Sequence, residues 1–146
     1  MSDTDAVVFY IDNDLDAPSF VDPLREASRS QNVIIERHTD HFPGTAKDHE
    51  WLPFVADKGW FAMSHDNRIY RNATQRHFVL GLDLGLFIVR GDGRTHADLA
   101  ANVIRALPRV LRRARTLDKP FVASVTFPSV PGNPPRVELR YPKTSR

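Results

Sequence analysis

The chain has 146 residues, no cysteine and a formal net charge of +2. That length suits one domain able to bury a core unaided, and the missing thiols exclude a disulfide framework and a thiolate zinc site. No apolar run approaches membrane-spanning length and the opening MSDTDAVVF is acidic, unlike a signal peptide, so the expectation is a cytoplasmic protein that does not engage a membrane. The charge is unevenly spread. Residues 1–66 carry 13 acidic and 5 basic side chains, whereas residues 67–146 carry 5 and 15. One surface that holds cations and another that holds an anion, such as a nucleic-acid backbone, would follow if the fold keeps the halves apart.

Residues 6–11 form a short apolar run that reads as a buried strand. Residues 18–31 read as a helix, with Phe20, Leu24 and Ala27 on one face. Residues 33–37 are rich in β-branched side chains and form a second strand. The stretch 45–59 reads as a helix opened by a Thr45/Asp48 capping box and stopped by Gly59. A third strand covers 60–64, a helix 72–82 and a fourth strand 86–90. The longest helix covers 95–116, with Thr95 as its cap and Pro108 expected to kink it. This β–α alternation predicts an α/β fold with a central, mainly parallel sheet flanked by helices. Residues 120–127 and 135–141 are strand-like and separated by PSVPGNPP, which predicts a C-terminal β-hairpin-like extension.

In a parallel α/β sheet, ligands bind beyond the carboxyl ends of the strands. Asp12 and Asp14 follow the first strand, and Asp66 follows the third. Asp48 and Glu50 open the helix after the second strand, which brings them to the same edge. Strand-end aspartates are common as loop and cap residues, so any one of them alone says little. Three segments that deliver carboxylates to one rim, however, repel one another unless a cation is present. Hard ions such as Mg²⁺ or Mn²⁺ suit such oxygen donors. On a regular helix Asp48 points with Trp51 and Leu52, whereas Glu50 points roughly 160° away. Asp48 is the first choice as ligand and Glu50 the second, because a short carboxylate at 48 could instead serve the capping box.

Three segments, FYIDNDL, DHEWLPFVADKGW and SHDNRI, together resemble a PIN-like domain and are most similar to VapC-type toxins of bacterial toxin–antitoxin pairs. The resemblance runs from Phe9 to about Leu117. It divides the chain into a PIN-like nuclease domain, 6–117, and a two-stranded extension, 118–146, within one compact unit. It implies a three-layer fold and a Mg²⁺- or Mn²⁺-dependent endoribonuclease neutralised by a partner antitoxin, with homodimers frequent. Metal-ligand roles would fall on Asp12, on Asp48 or Glu50, and on Asp66, with Asp14 at a position often occupied by Asp or Asn. The family commonly shows one more acidic residue near the last metal-binding strand, and the next in this chain is Asp83.

The implied chemistry is metal-assisted phosphodiester hydrolysis, which needs no side-chain nucleophile. Arg68 and Arg71 follow Asp66 closely and are candidates to clamp a phosphate. In the last helix Arg105, Arg109 and Arg112 recur at helical spacing and could track RNA phosphates, dock an acidic antitoxin segment or form a solvated face. His38, His41 and His49 surround the second-strand loop without regular zinc spacing. His41 and His65 lie near the expected site, Trp51 and Trp60 read as core, and Phe42 as a base-stacking candidate.

Two other readings compete. The D-x-D of FYIDNDLD is similar to that of haloacid-dehalogenase-type phosphatases, in which the first Asp is a nucleophile. That family expects Thr or Val where this chain has Asp16, and no suitably placed Lys follows a later strand. A non-catalytic PIN-like binding or regulatory module is the other alternative.

Overall fold

In the computed structural model, residues 5–143 are described. Residues 144–146, the end of the expected extension, lie outside the described residues. The elements follow in the order β1 (Val7–Ile11), α1 (Pro18–Ser28), β2 (Val33–Arg37), α2 (Asp48–Asp57), β3 (Phe61–Ser64), α3 (Ala73–Leu80), β4 (Gly85–Val89), α4 (His96–Thr116), β5 (Phe121–Val125) and β6 (Val137–Tyr141). They build one six-stranded sheet in the order β2-β1-β3-β4-β5-β6. The first five strands are parallel, and β6 pairs antiparallel to β5.

The sheet is covered on both faces, and the sequence of each strand records this. Phe9 and Ile11 of β1 enter one core with Met63, Phe87 and the apolar stripe of α4, against which α1 also packs. Tyr10 enters the other core with Trp51 and Leu52 of α2, Ala62 and Val79 of α3. Side chains alternate across a strand, so a strand buried on both faces reads as a continuous apolar run. The stripe of α4 recurs at helical spacing through Leu99, Val103, Ala106, Val110 and Ala114. Under the first face lies an aromatic centre of Phe9, Phe61, Phe87 and Phe121, with neighbouring ring centroids 5.4–6.2 Å apart. Gly85 lets these rings close up, since a Cβ there would stand 2.6 Å from both Phe61 and Phe121.

Several boundaries differ from the expectations. The first long helix ends at Ser28, and residues 29–31 tighten into a 3-10 turn. Thr45 does not open α2. Lys47 occupies the cap position, and Glu50 reaches back to accept its backbone N–H at 2.6 Å. The α4 helix runs unbroken through Pro108, with Thr95 Oγ1 accepting from Asp98 N as the cap pattern predicts. The C-terminal strands pair with each other as expected, and β5 also pairs with β4 along its whole length. The extension is thus continuous with the main sheet. Among the described residues no helix is long and apolar enough to cross a membrane.

Candidate active site

The strand order makes a switch point. From β1 the chain passes to β2 on one side, then returns to β3 on the other. Loops leaving the carboxyl ends of β1 and β3 therefore diverge and leave a crevice between them. Asp12 follows β1 directly and Ser64 ends β3, so both stand at that crevice.

Asp12 is 8% exposed. One carboxylate oxygen accepts from Asn13 N at 2.6 Å and the other from Ser64 Oγ at 2.8 Å. Burial, with the carboxylates of Asp14 and Asp48, pushes its pKa up to about 7, although the bonds from Ser64 and Asn13 oppose this. Asp14 lies at the rim, where its carboxylate accepts from His65 N at 3.2 Å. Loss of water raises its pKa too. Ser64 Oγ also accepts from Asp66 N at 3.1 Å, so one buried hydroxyl orients two of the three segments.

Asp48 opens α2 and faces the same cleft. Its two oxygens accept from Trp51 Nε1 and Gln75 Nε2, each at 3.1 Å. Asp66 accepts from the Arg68 backbone N–H at 2.9 Å and from Nε of the same residue at 2.8 Å. Burial alone would raise the Asp66 carboxyl, but Arg68 outweighs it and holds the pKa below the usual range. The Arg68 guanidinium also lies 3.6 Å from Asp48. Asp12, Asp48, Ser64, Asp66 and Gln75 line a cleft of about 20 Å³, enough for one water-sized occupant.

Asp12, Asp14, Asp48 and Asp66 are thus brought to one rim, and Glu50 is not. Its exposed carboxylate caps α2, the role that Asp48 was expected to compete for. Asp83 precedes β4, at the opposite edge of the sheet. Arg71 is exposed and near enough to lower the pKa of Asp66. Arg105, Arg109 and Arg112 stand on α4, whose apolar stripe packs on the other sheet face. Arg105 donates to the carbonyls of Gly132 and Asn133 rather than facing the cleft.

The histidines serve the scaffold. His38 is fully buried, with Nε2 donating to Pro43 O at 3.0 Å and Nδ1 accepting from Tyr10 Oη at 2.7 Å. His41 meets Glu36, and His65 Nδ1 donates to Val89 O at 2.7 Å. Trp51 is buried and stacks on Tyr10, and Trp60 is half-buried against the same core. Phe42 is half-buried against Phe54 and His38, which corrects its reading as an exposed platform. Ser64 and Gln75 had no assigned role in the sequence. Ser64 stands inside the quoted SHDNRI segment, but nothing local marks Gln75, which meets Asp48 across 27 positions.

The cleft offers carboxylate oxygens and a hydroxyl, a donor set that fits Mg²⁺ or Mn²⁺ in type. Among the described residues, no three acidic or histidine side chains lie close enough to chelate one ion as they stand. Asp66 and Asp48 lean instead on Arg68, which supplies the positive charge. The donors fit a hard ion by type, while the carboxylates of Asp48 and Asp66 are paired with Arg68.

Residues 7–91 match the family model described as a PIN like domain. Over 116 residues the chain is 29% identical to "Putative ribonuclease VapC45" of Mycobacterium tuberculosis (strain ATCC 25618 / H37Rv), an alignment covering 80% of this chain and 83% of that protein. No solved structure matches the chain.

Proposed function

Because the chain belongs to the PIN-like domain family, we propose that it is a Mg²⁺- or Mn²⁺-dependent endoribonuclease acting at the Asp12–Asp48–Asp66 cleft. The observation that carries this reading is Asp12. A carboxylate 8% exposed, with its pKa pushed up to about 7 beside two other carboxylates, is costly unless a cation offsets it. Similarity to a relative named as a ribonuclease supports RNA as the substrate.

Asp12, Asp48 and Asp66 are the residues that would hold the ion, with Asp14 at the rim. A bound divalent ion supplies Lewis acidity at a phosphate oxygen and lowers the pKa of a bound water. Ser64 fixes the Asp12 carboxylate and the Asp66 backbone in one register. Gln75 and Trp51 do the same for Asp48. Arg68, once parted from Asp66, presents a planar fork suited to a phosphate, and Arg71 lies beside it. The likeness to VapC-type toxins adds an antitoxin partner, a homodimer and a cytoplasmic location to the proposal.

The test is a labelled pool of structured RNA incubated with Mn²⁺, Mg²⁺ or chelator, with Asp12→Asn and Asp66→Asn alongside. Metal-dependent cleavage that disappears in both variants supports the nuclease. Cleavage surviving both variants overturns the site. The ion pairs of Arg68 favour a second reading, a non-catalytic module whose cleft is closed by its own cation. No cleavage and no Mn²⁺-induced rise in Tm would favour that module.

A further inference from the structure

A second charged region lies on the same sheet face, across the short 3-10 turn Arg68–Tyr70. Arg68 begins that turn and faces the carboxylates, whereas Tyr70 ends it and bonds Ser124 of β5 through its hydroxyl at 2.7 Å. Arg90, the first residue after β4, lies 5.1 Å from the Tyr70 ring centroid, and Arg140 lies 4.9 Å from it. The neighbouring ring of Tyr141, 6.2 Å away, carries Arg76 at 4.9 Å and Lys143 at 5.5 Å.

The backbone is shaped to produce this cluster. The β5–β6 register shifts so that Val122 faces Tyr141 while Ala123 faces Leu139, which leaves Arg140 as the extra residue of a bulge. In a regular strand Arg140 and Tyr141 would point to opposite faces. The bulge turns both toward the tyrosines.

Four cations thus gather around two rings. Among the described residues none of the four forms an ion pair with a carboxylate, whereas Arg37, Arg68 and Arg136 each do. Glu138, on the same strand as Arg140, is taken by Arg136. A ring face attracts a guanidinium without neutralising its charge, and it fixes the group while leaving edge donors available. The cluster therefore keeps a surplus of positive charge in a fixed arrangement that runs from Arg90, at the cleft edge of the sheet, down the face to Lys143 beyond the end of β6 at the other edge.

We propose that Arg76, Arg90, Arg140 and Lys143 form a phosphate track for the RNA strand flanking the scissile bond, a reading that rests on the nuclease assignment above. Its rings are engaged by the protein's own cations, so the track holds the backbone and does not read base sequence.

The test is fluorescence anisotropy of a short labelled oligouridylate in chelator, where no cleavage occurs, over a series of salt concentrations. Arg140→Gln and Lys143→Glu are compared with wild type and with Arg29→Gln on the far layer, folding being checked by circular dichroism. Each track variant is expected to bind several-fold more weakly, and the log–log salt slope to fall by about 0.7 for each phosphate that is no longer held. Lys143 is exposed at the end of β6, so its variant reports even if Arg140→Gln fails to fold. Wild-type affinity and slope in both variants would overturn the track, even if Mn²⁺-dependent cleavage stands. RNA binding through the track without cleavage by wild type under any metal would instead sink the nuclease reading and leave the track as a binding surface. If the variants bind polyglutamate as poorly as they bind RNA, the surface is a general polyanion or acidic-protein site and the RNA assignment falls.

Discussion

Asp12 and Asp16 stand at the two ends of one turn after β1, yet they meet opposite surroundings. Asp16 accepts from Arg37 Nε at 2.6 Å and from both the backbone N–H and hydroxyl of Thr39 at 2.9 Å. Burial works against its charge, but these donors outweigh it and hold its pKa below the ordinary carboxylate value. Asp12 has a hydroxyl and one backbone N–H for partners and two carboxylates for neighbours, and its pKa rises to about 7. The Asp16 carboxylate is a latch that ties the β1–α1 loop to the end of β2. The Asp12 carboxylate forms no ion pair among the described residues and faces Asp14 and Asp48 instead. Burial raises both carboxyls, and what sends their pKa values apart is the sign of the charge each one faces, Arg37 beside Asp16 and two carboxylates beside Asp12.

Linkage gives the two residues opposite pH signatures. Asp12 ionises more readily in the unfolded chain than in the folded one. Its contribution to stability is present below about pH 4 and is lost as pH rises toward 7. Asp16, with its folded pKa lowered, contributes stability above about pH 4 that is lost as pH falls through its folded value.

The largest expected effect breaks the functional end of the turn. Asp12→Asn should lower Mn²⁺-dependent RNA cleavage by about three orders of magnitude, roughly 4 kcal/mol of transition-state stabilisation. The same variant should flatten the fall in Tm between pH 4 and pH 7 measured in chelator. If that fall persists undiminished, Asp12 is not the group that titrates. Breaking the latch comes next. Asp16→Asn should cost about 3 kcal/mol in urea unfolding, because it weakens three charge-assisted hydrogen bonds, one from Arg37 and two from Thr39. An unchanged midpoint would show that Thr39 alone holds the loop.

Gly85→Ala should destabilise by about 2 kcal/mol, since the new methyl meets two buried rings. It touches neither aspartate, so both pH signatures should survive at a lower Tm. The smallest effect concerns the cation already at the rim. Arg68→Ala should tighten Mn²⁺ binding, measured calorimetrically, by a few-fold, on the order of 1 kcal/mol for a partly exposed pair. Weaker binding would show that Arg68 assists the ion instead of standing in its place.

Much of this was legible in the sequence because it rests on local periodicity. Four of the five parallel strands follow from apolar runs flanked by amphipathic helices, and the strand-end positions of Asp12 and Asp66 follow with them, whereas β5 reads in the sequence as half of a separate hairpin. The choice between Asp48 and Glu50 was only half legible. Helical angle favoured Asp48, but the capping role fell to Glu50 because the cap of α2 is Lys47, two residues later than Thr45. The arginines of α4 were half legible for a related reason. Their spacing announces an exposed face, but spacing cannot say on which side of the sheet the helix lies.

By itself, then, the sequence determined the α/β alternation, the double-sided burial of β1, β3 and β4, and the delivery of carboxylates to one edge, because each is written in residues close in the chain. Only the tertiary structure decided which charges meet. Ser64 reaches Asp12 across 52 positions, Gln75 reaches Asp48 across 27, and Tyr70 reaches Ser124 across 54. Such pairings depend on strand order, as the approach of Arg140 to Tyr70 depends on a one-residue bulge, and neither leaves a periodic mark in the chain.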